Sequence, residues 1–79
     1  CGPCQMQSPI VDEIAAEFGD KVKVCKVNVD EQPSLALNYQ ITSIPTLVFM
    51  KYGLFQQKMI GLQNKDTITG YLNTLLEEE

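Results

Sequence analysis

The sequence has 79 residues, enough for one domain, and a net charge of −4 from ten carboxylates and six lysines. Apolar residues make up 44 % and charged residues 20 %, which is the balance of an ordinary globular domain. No stretch approaches the ~18 consecutive apolar residues of a membrane span, and the basic patch typical of nucleic-acid binding is missing. We therefore predict neither a membrane nor a nucleic-acid partner.

The chain has no histidine and three cysteines, Cys1, Cys4 and Cys25. An odd count excludes a closed framework of disulfides within one chain. Three thiols without a histidine cannot supply the four ligands of an ordinary zinc site. Because histidine is the commonest general base, catalysis here would have to use cysteine, lysine or carboxylate. The composition therefore favours reactive cysteines over structural ones.

The first predicted element is a helix over residues 4–18, because an apolar residue recurs at every fourth position: Met6, Ile10, Ile14 and Phe18. Gly19 is suited to end this helix. Residues 21–30 are rich in β-branched residues and carry apolar side chains on both faces, which predicts a strand covered on both sides. Cys25, within this segment, is expected to be an inert buried residue.

A short helix with a proline in its first turn is predicted to end near Tyr39, and a loop follows as far as Pro45. The turn Tyr52-Gly53 predicts a hairpin between strands at residues 46–51 and 55–60. Asn64 is a plausible cap for a last helix that ends near Leu76. The predicted order, α-β-α-β-β-α, is that of an α/β domain.

Cys1-Gly2-Pro3-Cys4 is the strongest chemical signal in the chain. Two cysteines three positions apart at the start of a helix can close a small disulfide without moving the backbone. The helix N-terminus favours the thiolate of Cys1 over its thiol, because unpaired N–H groups and the dipole stabilise negative charge there. Cys4 lies deeper in the helix and can attack a mixed disulfide once one has formed. Pro3 stiffens the loop, and Gly2 allows a substrate to approach closely.

Zinc sites use the same C-x-x-C spacing, so the motif alone does not exclude metal binding. Two copies of the chain could supply four thiolates to a bridging zinc ion or iron–sulfur cluster. The amphipathic helix that follows, and the lack of a second C-x-x-C or of histidine, favour redox chemistry.

The sequence resembles the thioredoxin family over its whole length. The resemblance is carried by CGPC at the head of a helix, by residues 27–30 (Val-Asn-Val-Asp), by residues 43–46 (Ser-Ile-Pro-Thr), and by Gly61 after a strand. It implies one truncated thioredoxin-like three-layer α/β sandwich over residues 1–79. Family members begin with a strand, a helix and a central second strand, and none of these three elements is present here.

The resemblance also implies roles for individual residues. Cys1 matches the attacking cysteine and Cys4 the resolving cysteine of a protein-disulfide reductase that needs no cofactor besides its own disulfide. A cis bond is implied at Ile44–Pro45, which would face that disulfide, and Ile60-Gly61 would complete the surface on which a peptide docks. Lys26 matches a supporting lysine whose usual partner, a buried aspartate, is missing, so its side chain is expected to reach towards solvent.

The implied partners are protein disulfides and a thioredoxin-reductase-like reductant, and the implied location is the cytoplasm. Because the missing aspartate and strand bear on activity, an assembly module with weak or no activity is the main alternative, beside the metal-bridged dimer. The two strands that would flank the missing one have unpaired edges. These two strands could pair directly with each other within one monomer, but that would also require the flanking helices to repack. We therefore expect a homodimer, formed by strand pairing or by exchange of an element.

Overall fold

The first helix begins at the CGPC motif in the computed structural model, which describes residues 1–78. Helix α1 spans Gly2–Phe18 and includes Pro9, and Cys1 is its N-cap. The helix ends at Gly19, whose φ of 54° is a conformation that glycine adopts without strain. A short 3₁₀ turn at Gly19–Lys21 follows. Helix α1 therefore begins two residues earlier than predicted and ends where predicted.

The strand predicted at residues 21–30 is wrong. Val22 has extended backbone angles, but residues 22–28 belong to no sheet in the described part of the chain. A strand requires a neighbour to accept its ladder of hydrogen bonds, and the two strands described below pair only with each other. The valine-rich pattern therefore produces an extended segment without a partner.

The hairpin is confirmed. Strand β1 spans Thr46–Lys51 and strand β2 spans Leu54–Ile60, and they pair antiparallel. Tyr52 and Gly53 at the turn have φ values of 56° and 76°, and a two-residue turn of this kind matches the twist of the two strands. The register shifts between Phe49 and Met50, which leaves one extra residue on β2.

The two remaining helices also lie close to their predicted positions. Helix α2 spans Pro33–Asn38, and helix α3 spans Lys65–Glu77. The side chain of Asn64 caps α3 by accepting a hydrogen bond of 2.8 Å from the backbone N–H of Thr67. The longest helix, α1, has 17 residues, and none of the helices in residues 1–78 is both long and apolar enough to cross a membrane.

Helices α1 and α3 pack on one face of the hairpin, and α2 lies on the other. The buried core joins α1, β1 and α3, and consists of Ile14, Phe49, Ile68, Leu72 and Leu75. The ring of Phe49 meets Tyr71 edge-to-face at 4.8 Å. On the opposite face, the Tyr39 hydroxyl contacts the sulfur of Met50, and Lys58 Nζ donates to the backbone oxygen of Gln40 at the end of α2. The resulting order, helices–sheet–helix, confirms the three-layer α/β fold.

Ion pairs on the surface also connect α1 with α3. Lys65 Nζ lies 2.7 Å from Glu17 and 3.7 Å from Glu13. The hydrogen bond that Lys65 Nζ donates to the Glu17 carboxylate is the main cause that raises the pKa of Lys65 above its ordinary value. Because these side chains are all more than a third exposed, water and salt screen the pairs. The apolar core, rather than these charges, therefore holds the two helices on the hairpin.

The importance of this small core can be tested with two matched leucines. Leu75 in α3 is 7 % exposed, whereas Leu37 in α2 is 79 % exposed. We expect Leu75→Ala to lower the free energy of unfolding by about 2–5 kcal/mol, because it leaves a cavity in the core. Leu37→Ala should change it by no more than about 0.5 kcal/mol. Urea unfolding of both variants measures this difference, and equal effects would contradict the proposed core.

Candidate active site

Cys1 and Cys4 are joined by a disulfide at the first turn of α1, with their Cα atoms 5.3 Å apart. The Sγ of Cys1 accepts a hydrogen bond of 3.3 Å from the backbone N–H of Cys4. Cys1 is exposed and Cys4 is half-buried. The sulfur atom at the N-cap therefore lies where backbone donors and the helix dipole stabilise negative charge.

Gly2 and Pro3, between the cysteines, are exposed. A Cβ atom built on Gly2 would meet nothing within 4 Å, so no contact within the chain requires glycine there. Any need for a small residue at this position therefore arises from a molecule that approaches the disulfide from outside.

The loop before β1 contains the cis peptide bond predicted at Ile44–Pro45. Thr46 Oγ1 donates a hydrogen bond of 2.7 Å to the backbone oxygen of Ser43, which closes this loop. Ile44 is 50 % exposed and Pro45 is half-buried. The loop therefore presents the apolar side chain of Ile44 to solvent, on a backbone that is closed by the hydrogen bond between Thr46 and Ser43.

The end of β2 is connected to the same loop. Ile60 is 56 % exposed, and the backbone N–H of Gly61 donates a hydrogen bond of 2.8 Å to the backbone oxygen of Pro45. Gly61 has a φ of 84°, which side-chain-bearing residues rarely adopt. Ile44, Pro45, Ile60 and Gly61 therefore lie on two connected backbone segments.

The side chain of Lys26 is 52 % exposed, in agreement with the prediction that it reaches towards solvent, and it also contacts α1. Its Nζ donates to Ser8 Oγ at 2.6 Å and lies 2.7 Å from Asp12 Oδ1. Both side chains belong to α1, so this contact attaches the extended segment 22–28 to the helix that carries the disulfide. The surface carboxylate of Asp12 is thus the partner that the sequence did not reveal.

The prediction that Cys25 is buried is wrong, because this free thiol is exposed. In the part of the chain that the structure describes, no strand lies beside residues 22–28 to cover their side chains. Cys25 lines an open groove of about 570 Å³ with Val22, Met50 and Leu75. The exposure of Cys25 is therefore a direct consequence of the unpaired segment.

The sequence pattern predicted that Met6 lies on the buried face of α1, but Gln7 lies there instead. Met6 is 60 % exposed, whereas Gln7 is 4 % exposed. Gln7 precedes the core residue Ile14 by seven positions, which is two helical turns, so both lie on one face of α1. That spacing was the available signal, and the polarity of glutamine concealed it. The amide of Gln7 bonds to the backbone of Gln63, beyond the end of β2.

The arrangement is suited to thiol–disulfide exchange. It combines an exposed sulfur at a helix N-terminus, a second sulfur bonded to it, and an exposed apolar surface on two connected loops. No cluster of three or more metal-ligating side chains occurs within residues 1–78. The redox group of this site is the disulfide of the chain itself.

Comparisons with known proteins agree with this chemistry. The family model "Thioredoxin" matches residues 1–74. Thioredoxin of Rickettsia felis is 47 % identical over 73 residues, which cover 92 % of this chain and 70 % of that protein. Thioredoxin 1 of Synechococcus elongatus is 49 % identical over 73 residues, covering 92 % of this chain and 68 % of that protein.

A solved structure supports the same assignment. The germline-specific thioredoxin Deadhead of Drosophila melanogaster superposes with a TM-score of 0.87 at 28 % identity, over 95 % of this chain and 70 % of that one. The resemblance thus extends from the CGPC motif to the last helix, in sequence and in structure. The chain belongs to the thioredoxin family and is a thiol–disulfide oxidoreductase.

Proposed function

We propose that the chain reduces protein disulfides, with Cys1 as the attacking cysteine and Cys4 as the resolving cysteine. The observation that carries this assignment is the asymmetry of the two sulfurs. Cys1 is exposed at the N-cap, and its sulfur accepts the Cys4 N–H, whereas Cys4 is half-buried one turn further along. Only an exposed thiolate can reach a disulfide on another protein.

In the proposed reaction, the Cys1 thiolate attacks one sulfur of the substrate disulfide. The substrate S–S bond breaks, and Cys1 is joined to the attacked sulfur in a mixed disulfide. The other substrate sulfur leaves as a thiolate that takes up a proton. Cys4 then loses its proton and attacks the Sγ of Cys1, which releases the substrate sulfur that was bound to Cys1 as a thiol. Two electrons pass to the substrate, and the Cys1–Cys4 disulfide forms. A thioredoxin-reductase-like partner must return two electrons to restart the cycle.

We propose that the substrate peptide docks on Ile44-Pro45 and on Ile60-Gly61, beside the exposed Gly2-Pro3 turn. Ile44 and Ile60 are each at least half exposed, and an apolar surface of this kind is a common feature of protein-binding sites. The hydrogen bond between Gly61 and Pro45 holds the two segments together. Lys26 is proposed to support the site through its contacts with α1.

The proposed location is the cytoplasm. A disulfide reductase must be returned to its dithiol form after each turnover, and the cytosol keeps thiols reduced. An oxidising compartment would instead hold Cys1 and Cys4 as the disulfide.

The assignment of the two cysteines predicts an asymmetric trap. Cys4→Ser should accumulate a stable mixed disulfide at Cys1 when mixed with an oxidised protein, because no resolving thiol remains. Cys1→Ser should trap little. Mass spectrometry of the adducts, after treatment with a disulfide-containing peptide, measures both. Faster adduct formation at Cys4 than at Cys1 would contradict the assignment.

The activity itself can be measured by insulin reduction with dithiothreitol. We expect the parent chain to accelerate the precipitation of insulin well above the rate with dithiothreitol alone. The double variant Cys1→Ser/Cys4→Ser is the matched control and should not accelerate it. A parent chain that matches this control would favour the assembly module, and bound zinc or iron in the purified protein would favour the metal-bridged dimer.

We also propose that the chain forms a homodimer through residues 22–28. The accessible surface is 5709 Å², whereas a compact monomer of 8.8 kDa exposes about 4,800 Å². The excess of about 900 Å² is close to the ~800 Å² that each partner buries in an interface of standard size. A second copy brings the same unpaired extended segment, so the two can pair antiparallel about a two-fold axis.

The dimer predicts a mass that depends on concentration. Sedimentation from about 1 to 500 μM should show a monomer that converts to a dimer. Val24→Pro, which removes a backbone donor from the extended segment, should weaken this association at least about tenfold, whereas Val24→Thr should not. A folded chain that stays monomeric throughout the series would contradict the proposal.

A further inference from the structure

Gln7 is the one polar or charged side chain that is buried among residues 1–78. Buried polar groups are retained where their hydrogen bonds are satisfied, and Gln7 satisfies both ends of its amide with a single residue. Its Oε1 accepts the backbone N–H of Gln63 at 2.8 Å, and its Nε2 donates to the backbone oxygen of Gln63 at 3.2 Å. Two bonds to one residue define the orientation of that backbone as well as its distance from α1.

The paired bonds also determine which end of the amide is which. The backbone N–H of Gln63 can only donate and its oxygen can only accept, so Oε1 and Nε2 must lie as they do. We call this pair of hydrogen bonds between Gln7 and Gln63 the clamp. In each of its two bonds, a donor faces an acceptor.

The clamp connects the disulfide helix with the proposed docking segments. Gln7 lies three residues after Cys4 on α1. Gln63 turns back on the end of β2 because its own Nε2 donates to the backbone oxygen of Ile60 at 3.0 Å. Gly61, between them, donates to the backbone oxygen of Pro45. The Ile60 oxygen and the Gly61 N–H belong to the same peptide group. Hydrogen bonds therefore connect α1 to Gln63, Gln63 to this peptide group, and the peptide group to Pro45.

The other contacts of α1 with the hairpin and with α3 cannot set this distance as closely. The core packing of Ile14 is strong, but apolar contact is not directional. The ion pairs of Lys65 with Glu13 and Glu17 are exposed and lie in the second half of α1, away from the disulfide. The clamp is the buried, directional contact nearest to Cys1 and Cys4.

We propose that Gln7 is a positioning residue, which holds the docking backbone at the correct separation from the Cys1 sulfur so that a bound peptide presents its disulfide for attack. The inference rests on the proposed function and names the determinant of protein-substrate binding within it. Gln7 touches neither sulfur. It acts on the binding of a protein substrate through Gln63 and leaves the reactivity of the thiol itself unchanged.

The test compares Gln7→Met with the matched control Gln5→Met. Methionine has nearly the volume of glutamine but cannot form either bond of the clamp, and Gln5 is an exposed glutamine on the same helix. We expect Gln7→Met to raise the KM for insulin about tenfold with little change in kcat, since misplacing a positioned group by about 1 Å has large kinetic effects. Reduction of 5,5′-dithiobis(2-nitrobenzoic acid), a disulfide too small to span the docking segments, should stay within about twofold. Gln5→Met should alter neither.

Two results would overturn the proposal. An unchanged KM for insulin would show that the clamp does not position the substrate, and an equal loss with both disulfides would show a merely structural role. If Gln7→Met does not fold, hydrogen–deuterium exchange of the backbone amides in the parent chain provides the test. The Gln63 N–H should exchange slowly with solvent, and exchange as fast as that of an exposed loop would refute the clamp. A parent that reduces the small disulfide but not insulin would instead count against the proposed function.

Discussion

The packing of two helices against one face of a two-stranded hairpin is the constraint on which the rest of the molecule depends. A hairpin alone is at best marginally stable in water, so β1 and β2 require a covering layer. Ile14 from α1 and Ile68, Leu72 and Leu75 from α3 supply it around Phe49. This one contact region determines where the first turn of α1 lies, and with it the position of the disulfide.

The site follows from that packing because its parts lie on elements that meet at the core. The cysteines belong to the first turn of α1, and the proposed docking segments lie at the start of β1 and the end of β2. Antiparallel pairing places Thr46 opposite Ile60, and the hydrogen bond from Gly61 to Pro45 continues that pairing, so the two segments adjoin. What remains is the distance from the helix to the hairpin. Gln7, the only polar side chain that is buried among residues 1–78, bonds across that gap to the backbone of Gln63.

Local signals in the sequence predicted the elements whose structure is decided locally. The hairpin turn at Tyr52-Gly53 and the cap at Asn64 depend on residues within a few positions of each other, and both were predicted correctly. The CGPC motif was likewise sufficient to locate the disulfide. The cis bond before Pro45 followed from the family resemblance, because spacing alone favours the trans form.

The predictions that failed each depended on a distant partner. Residues 21–30 have the composition of a strand, but within residues 1–78 no neighbouring strand accepts their hydrogen bonds. The same missing neighbour leaves Cys25 exposed. Gln7 was overlooked because its burial depends on the backbone of Gln63, 56 residues away in the chain. Hydrophobic patterning treats glutamine as a surface residue and cannot represent a polar group that is buried with its partner.

The chemistry of the site and the structure around it thus depend on different kinds of contact. The disulfide and its helix N-terminus are local, since Cys1, Cys4 and the first turn of α1 are formed by adjacent residues. In the proposed function, recognition of a protein substrate is not local, because it requires α1 and the hairpin to keep a defined separation across the five apolar residues that are buried among residues 1–78. A domain of this size buries a smaller share of its surface than a larger domain, so fewer apolar contacts hold α1 in place. In our proposal, the directional hydrogen bonds of the clamp are the means by which such a domain retains a precise docking surface, even though residues 22–28 belong to no sheet in the described part of the chain.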